Sequence, residues 1–171
     1  MTRRKPSAFE LSLLLGFHAV MSGAFLVAYL TGDEDTYGMH VVAGYAVLAA
    51  LLVRLAAALV APANSPLRLP GPRLGEAARY LGRLLSGDPA ARRERSPLYA
   101  WVAALLLIGT GSAALSGAIT DFVPRLDDVH EALGELSLYI AICHIAIVLL
   151  LRAVKPRGPA ALPQAAKAGV R

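Results

Sequence analysis

Apolar side chains along this chain do not alternate with polar ones. They run together in four stretches, at about 8–30, 39–60, 98–119 and 129–151, interrupted only by isolated small, polar or charged residues. A helix needs ~20 predominantly apolar residues to cross the hydrocarbon core of a bilayer, and each stretch has that length. No period-two pattern competes with them. The expectation is an all-α protein, an integral membrane four-helix bundle. The first stretch follows Arg3, Arg4 and Lys5 as a secretory signal would, but it is longer than a signal core and lacks a small-residue cleavage pattern before Asp33. It is therefore expected to be retained.

Two short polar segments, "TGDEDTYG" and "TDFVPRLDD", and one long linker, "APANSPLRLPGPRLGEAARYLGRLLSGDPAARRERS", join the stretches. Prolines at the start of the linker exclude a regular helix there. Further along, Leu74, Ala78, Leu81 and Leu85 share a helical face while Glu76, Arg79 and Arg83 lie elsewhere. That spacing suits a short amphipathic helix resting on an anionic membrane surface, with a solvated basic loop as the alternative. The Pro-, Gly- and Ala-rich end, 155–171, has too little to bury and is expected to be a disordered cytoplasmic tail. Residues 1–154 are then one transmembrane domain, with no internal repeat and no second domain.

Composition agrees with this picture, with 56% hydrophobic residues among 171 and a mean hydropathy of +0.54. Charge adds orientation. Every Lys and Arg except Arg54 and Arg125 lies in the N-terminal segment, the linker or the C-terminal end. Basic residues collect in cytoplasmic segments, so both termini are expected in the cytoplasm. The outer loops hold Asp33, Glu34, Asp35, Asp121, Asp127 and Asp128 against the single Arg125. The pI near 9.7 follows from this asymmetry and argues for no nucleic-acid partner.

Ionisable groups inside membrane segments are costly and point to function. All four histidines, His18, His40, His130 and His144, fall in such segments. His130 and His144 are fourteen residues apart, close to four helical turns, so they share one face of the fourth helix and stand ~21 Å apart along it. By the same arithmetic His40, at the outer end of the second helix, is level with His130. His18, about ten residues in from the cytoplasmic start of the first, is level with His144. Two stacked pairs of imidazoles across an apolar gap suit a flat, apolar metal macrocycle held between facing helices, one haem b per pair. Zinc would require further ligands that neither pair offers. With both axial positions filled by histidine, iron has no open site, which favours electron transfer over oxygen chemistry.

Cys143, the only cysteine, excludes an intrachain disulfide, and no Cys-x-x-Cys-His is present for covalent haem attachment. Its neighbour His144 points ~100° away on the helix, so packing is its expected role rather than ligation.

These residues form an ordered set: "FHAVMSGAFLVAYLTG" around His18, "HVVAGYAVLAALLVRL" from His40 to Arg54 and beyond, "SPLYAWVAALLLIGTGSAALSG", and "VHEALGELSLYIAICH" with its fourteen-residue spacing. The set resembles the bacterial four-helix di-haem b-type cytochromes, which include cytochrome b561 and the cytochrome b subunits of nickel-iron hydrogenases and formate dehydrogenases. It covers about 9–152. The resemblance implies a multi-pass protein of the bacterial inner membrane. It implies passage of electrons between an outer donor and the membrane quinone pool, as a quinone oxidoreductase or a respiratory subunit, with His40 and His130 on the periplasmic-side iron and His18 and His144 on the cytoplasmic-side iron. Ala19 after His18 and "LAAAL" after Arg54 depart from the aromatics usual there, and the chain is shorter than many hydrogenase-linked members.

Other residues carry weaker chemistry. Arg54 is a candidate partner for a haem propionate, with snorkelling to headgroups as the alternative. Gly44, Gly109, Gly111 and Gly117 can make room for a macrocycle or allow close helix packing. Glu10, Glu131 and Glu135 are candidate proton relays to a quinone; Met21 and Met39 are expected to pack. The acidic outer loops favour a periplasmic protein with a basic docking surface, a c-type cytochrome or a redox-enzyme subunit, over the superoxide that stand-alone members of the family accept. Two rival classes are open. A proton or metal-ion transporter also places histidines in the membrane and would be colourless, whereas a cofactor-free anchor leaves the level pairing unexplained.

Overall fold

The structure, a computed structural model, describes residues 5–154 except Pro70 and Asp121. Four long helices carry the apolar stretches: α1 (Ala8–Leu30), α2 (Tyr37–Val60), and, after two linker helices α3 (Leu74–Leu85) and α4 (Pro89–Arg93), α5 (Leu98–Thr120) and α6 (Asp127–Val154). All four are long and apolar enough to span a membrane, and no strand occurs among the described residues. This is an all-α, multi-pass membrane protein.

Local chemistry sets the helix ends. Ser7 and Glu10 form a reciprocal capping box that starts α1. Short 3-10 turns, Glu34–Thr36 and Pro124–Leu126, lead into α2 and α6. Pro62 follows the last turn of α2 and disfavours helical backbone at Ala61. α2 begins at Tyr37 and α6 runs from Asp127 to Val154, beyond the apolar limits of 39 and 151. The extra turns are polar. Asp127 and Asp128 suit the positive end of the helix dipole, so the helix continues where hydropathy has already fallen.

α1 packs on α2, α2 on α5 and α5 on α6, giving two antiparallel hairpins joined through α2 and α5. Both tight loops lie at one end of the bundle, the loop end; the linker lies at the other, the linker end. The buried stripe of α2, Ala43, Val47, Leu51, Arg54 and Ala58, faces this interior, and α5 contributes Val102, Gly109, Thr110, Ala113 and Ser116. Small residues set the spacing, as expected where lipid supplies no hydrophobic drive between helices. A Cβ built on Gly109 would stand 2.9 Å from Ile140 Cδ1 and 3.4 Å from Ser137 Oγ, so α5 and α6 cross here in near contact. Gly111 makes a looser contact, with Leu51 Cδ1 3.8 Å from the same position.

The linker folds against its end of the bundle. Tyr80, Ala91 and Leu151 form a small core with Leu84, Leu98, Tyr99 and Ile147 around it, tying α3 and α4 to the ends of α5 and α6. The amphipathic helix expected from Leu74, Ala78, Leu81 and Leu85 is present, but its bundle contact is made by Ala77 and Tyr80 on a different face. Leu74, Leu81 and Leu85 point outward, 72%, 40% and 86% exposed. Arg83 braces the turn into α4, donating from Nε to Asp88 Oδ2 at 2.7 Å and from Nη2 to Glu94 Oε1 at 2.9 Å. Hydrogen bonds to Glu94 and Asp88 hold the guanidinium charged, well above its ordinary range, and the bond from Arg83 holds the Asp88 carboxyl below its own. Gly87, with φ of 79°, supplies the left-handed residue that this turn needs.

Candidate functional site

The four histidines come together as two pairs at different depths. His40 is three residues after the first residue of α2, and His130 is three residues after the first of α6; both helices start at the loop end. Their ring centroids are 5.7 Å apart at an interplanar angle of 74°. His18 lies ten residues from the linker-end terminus of α1 and His144 ten from that of α6. Their centroids are 6.4 Å apart at 89°. Two imidazoles on opposite sides of one metal at ~2.0 Å per bond would have ring centres ~6 Å apart, and both separations are of that size.

The loop-end rings are held from behind. His40 Nδ1 donates to the carbonyl of Ala28 at 2.7 Å. His130 Nδ1 donates to the carbonyl of Ala113 at 3.0 Å and lies 3.2 Å from Ser116 Oγ, whose own proton goes to Ala113 O. Committing Nδ1–H in this way fixes the tautomer and leaves Nε2 as the free lone pair, the arrangement found behind metal-binding histidines. Tyr37 stacks on His40 with centroids 5.9 Å apart. The linker-end pair is less supported. His18 Nδ1 reaches Ser22 Oγ at 3.4 Å, and the hydroxyl already donates to His18 O. His144 Nδ1 is buried with no hydrogen-bond partner among the described residues.

A cavity of about 540 Å³ opens beside His40 and His130, between the loop-end parts of α1, α2, α5 and α6. Ligand and cofactor pockets run from roughly 300 to 1,000 Å³. Gly44, Gly117 and Gly134 line it, as do Asp127, Glu131 and Glu135. Gly117 is where room matters most: a Cβ there would stand 2.8 Å from His130 Cε1 and 3.2 Å from each ring nitrogen.

No group of three or more His, Cys, Asp or Glu side chains able to hold a bare metal ion occurs among the described residues. Two facing imidazoles, a free Nε2 on each loop-end ring, and a cavity opened by glycines fit an iron whose other four ligands come with its own macrocycle.

Other sequence candidates have separate positions. Arg54 is buried and donates from Nη1 to Leu67 O at 2.6 Å, with its guanidinium 5.9 Å from the centre of the Phe17 ring. It ties the start of the linker to the bundle. Glu10 is buried in the same strap, accepting from Ser65 Oγ at 2.6 Å and from Ser7 N at 2.9 Å. Glu131 and Glu135 line the loop-end cavity, while Gly109 and Gly111 serve helix packing. Cys143 is exposed on α6, Met39 is exposed and Met21 is half-buried. Asp121 of the acidic loops and the tail from Lys155 onward lie outside the described residues.

Sequence reasoning missed Ser116, Ser22, Tyr37 and the Ala28 and Ala113 carbonyls. The run "AALSGA" does mark where α5 is thin enough for a neighbour to approach, but main-chain acceptors carry no residue signature at all.

No curated protein and no solved structure matches the chain. The model of one family, prokaryotic cytochrome b561, matches residues 11–157, a span that contains all four histidines. The chain therefore belongs to the prokaryotic cytochrome b561 family, as a haem-b-binding membrane cytochrome of electron transfer.

Proposed function

We propose that the chain binds two haem b groups, one between His40 and His130 and one between His18 and His144, and carries electrons across the bacterial inner membrane. The observation that carries this reading is the presence of two facing histidine pairs, 5.7 and 6.4 Å between ring centres, at two depths of one bundle. Haem, when bound, supplies a one-electron carrier at each level.

α6 is the shared wall, since His130 and His144 share its inner face fourteen residues, ~21 Å, apart. His40 and His130 present Nε2 because Ala28 and Ala113 hold their Nδ1 protons. Gly117 gives the His130 ring its place. Arg54 and Glu10 bind linker residues and so close the linker end, and Arg54 is also a candidate partner for a haem propionate.

The linker end is the cytoplasmic one, because the linker is rich in Arg and the short loops are acidic. The loop end accordingly faces the periplasm. Asp33, Glu34, Asp35, Asp127 and Asp128 attract a basic protein there, such as a c-type cytochrome or a redox-enzyme subunit, and repel small anions such as superoxide. Quinone exchanges electrons at the cytoplasmic side in this reading, which rests on the resemblance to quinone-linked b-type cytochromes.

A reduced-minus-oxidised spectrum with a haem-to-protein ratio tests the reading. Two haems per chain with b-type bands are expected. A colourless protein, or a ratio of one, would overturn it.

A further inference from the structure

The two histidine pairs are alike in spacing and unlike in surroundings. Behind the loop-end rings stand two main-chain carbonyl acceptors, at 2.7 and 3.0 Å. Behind the linker-end rings there is one long contact to a hydroxyl, at 3.4 Å, and one buried Nδ1 without a partner among the described residues. A hydrogen bond accepted from Nδ1–H makes the imidazole a stronger electron donor through Nε2. A stronger donor stabilises the oxidised iron, which carries the extra positive charge, and so lowers the reduction potential.

Charge acts in the same direction. Asp127, Glu131 and Glu135 line the loop-end cavity itself. All three are exposed on the bundle surface, and an ionised carboxyl group beside a redox centre favours its more positive state by an amount that solvent and salt reduce. At the linker end, by contrast, buried Glu10 is more than two helical turns from His18 and bonded to Ser65 Oγ and Ser7 N, while Arg54 sits over the ring of Phe17, the residue next to His18.

We propose that the chain sets its loop-end haem at a lower reduction potential than its linker-end haem, through the carbonyl acceptors behind His40 and His130 and the carboxyl groups of Asp127, Glu131 and Glu135. This rests on the assignment of one haem to each pair. Under it, an electron is held more favourably at the linker end, and passage from the loop end to the linker end is the downhill direction. Ala28, Ala113 and Ser116 are then positioning groups acting through the histidines, and Glu131 and Glu135 act through the field in the cavity.

The experiment is a spectroscopic redox titration in detergent or nanodiscs, after the wild-type protein has been shown to hold two haems per chain; a lower ratio would refute the pairing, separately from the ordering. His18→Ala leaves the loop-end haem alone and His40→Ala leaves the linker-end haem alone. The loop-end haem is expected to titrate lower by at least a tenfold reduced-to-oxidised ratio at a given potential, about 59 mV for one electron. Glu131→Gln combined with Glu135→Gln, made in the two-haem protein so that the result does not depend on a histidine variant folding, should raise the lower-potential component about threefold or more in that ratio and leave the other in place. Ser116→Ala should raise the same component by less. Equal midpoints, a reversed order, or movement of the higher component in the glutamate variant would overturn the proposal.

Discussion

Gly117 on α5 lies under the imidazole of His130 on α6: a Cβ at Gly117 would stand 2.8 Å from Cε1 of the ring and 3.2 Å from both nitrogens. A methyl group cannot occupy that space unless the ring moves, and the ring is held by Ala113 O and Ser116 Oγ.

Gly117→Ala should therefore swing His130 off its acceptors and weaken or abolish haem binding at the loop end while sparing the linker-end pair. The expected loss is most of one haem per chain, read from the haem-to-protein ratio. Gly82→Ala, where an added Cβ meets nothing within 4 Å, should leave haem content unchanged and, by helix propensity alone, stabilise α3 by up to ~1 kcal/mol. Equal haem content in both variants would refute the cradle.

The linker clamp gives a pH-dependent expectation. Asp88 has its carboxyl held below the ordinary range, first by the hydrogen bond from Arg83 and then by that from Ala90 N. A depressed carboxyl contributes stability that is fully present above the unfolded value, ~3.9, and is lost as pH falls through the folded value. Protection of the α3–α4 amides from hydrogen exchange should thus exceed that of Arg83→Gln at pH 7, and the excess should shrink as pH drops below about 4. All three side chains are solvent-accessible, so the excess should also fall with salt. An excess independent of both would sink the clamp.

Tyr80 is buried against Ala91 and Leu151, whereas Leu81 beside it is 40% exposed. Tyr80→Ala should destabilise the docking of α3 by ~3 kcal/mol, by analogy with other buried aromatic truncations, and speed trypsin cleavage at Arg92 and Arg93, whose side chains are already exposed, by loosening the α4 backbone. Leu81→Ala should leave the cleavage rate within about twofold of wild type, since surface changes stay within ~0.5 kcal/mol. Equal rates for the two variants would contradict the observed face.

The proposed docking of a basic protein at the loop end predicts a charge-dependent encounter. Electron exchange with a basic cytochrome c, followed by stopped flow, should slow as ionic strength rises through the range where the Debye length falls below ~10 Å. It should slow several-fold further when Asp33, Glu34 and Asp35 are neutralised together. A rate indifferent to both would remove the acidic loops from the docking account without touching the histidine pairs.

Much of this architecture is legible in the sequence because the bilayer imposes simple rules. Runs of ~20 apolar residues have few alternatives to a spanning helix, and helical rise converts residue spacing into depth, which is why His40 and His130, and His18 and His144, can be paired by arithmetic. What stayed hidden depends on direction rather than depth. Arg54 meets Leu67 O in irregular backbone that no periodicity foretells. The face of α3 that packs, Ala77 and Tyr80, is less apolar by pattern than the Leu74–Leu81–Leu85 face that points outward. The acceptors behind the loop-end histidines are main-chain atoms of alanines.

The haem content of the four single histidine variants tests the central claim most directly. If each pair holds one haem, His40→Ala and His130→Ala remove the same haem, giving matching spectra and one haem per chain. His18→Ala and His144→Ala remove the other, with spectra that match each other and differ from the first two. Two haems retained in any of the four, or His40→Ala matching His18→Ala in place of His130→Ala, would contradict the account.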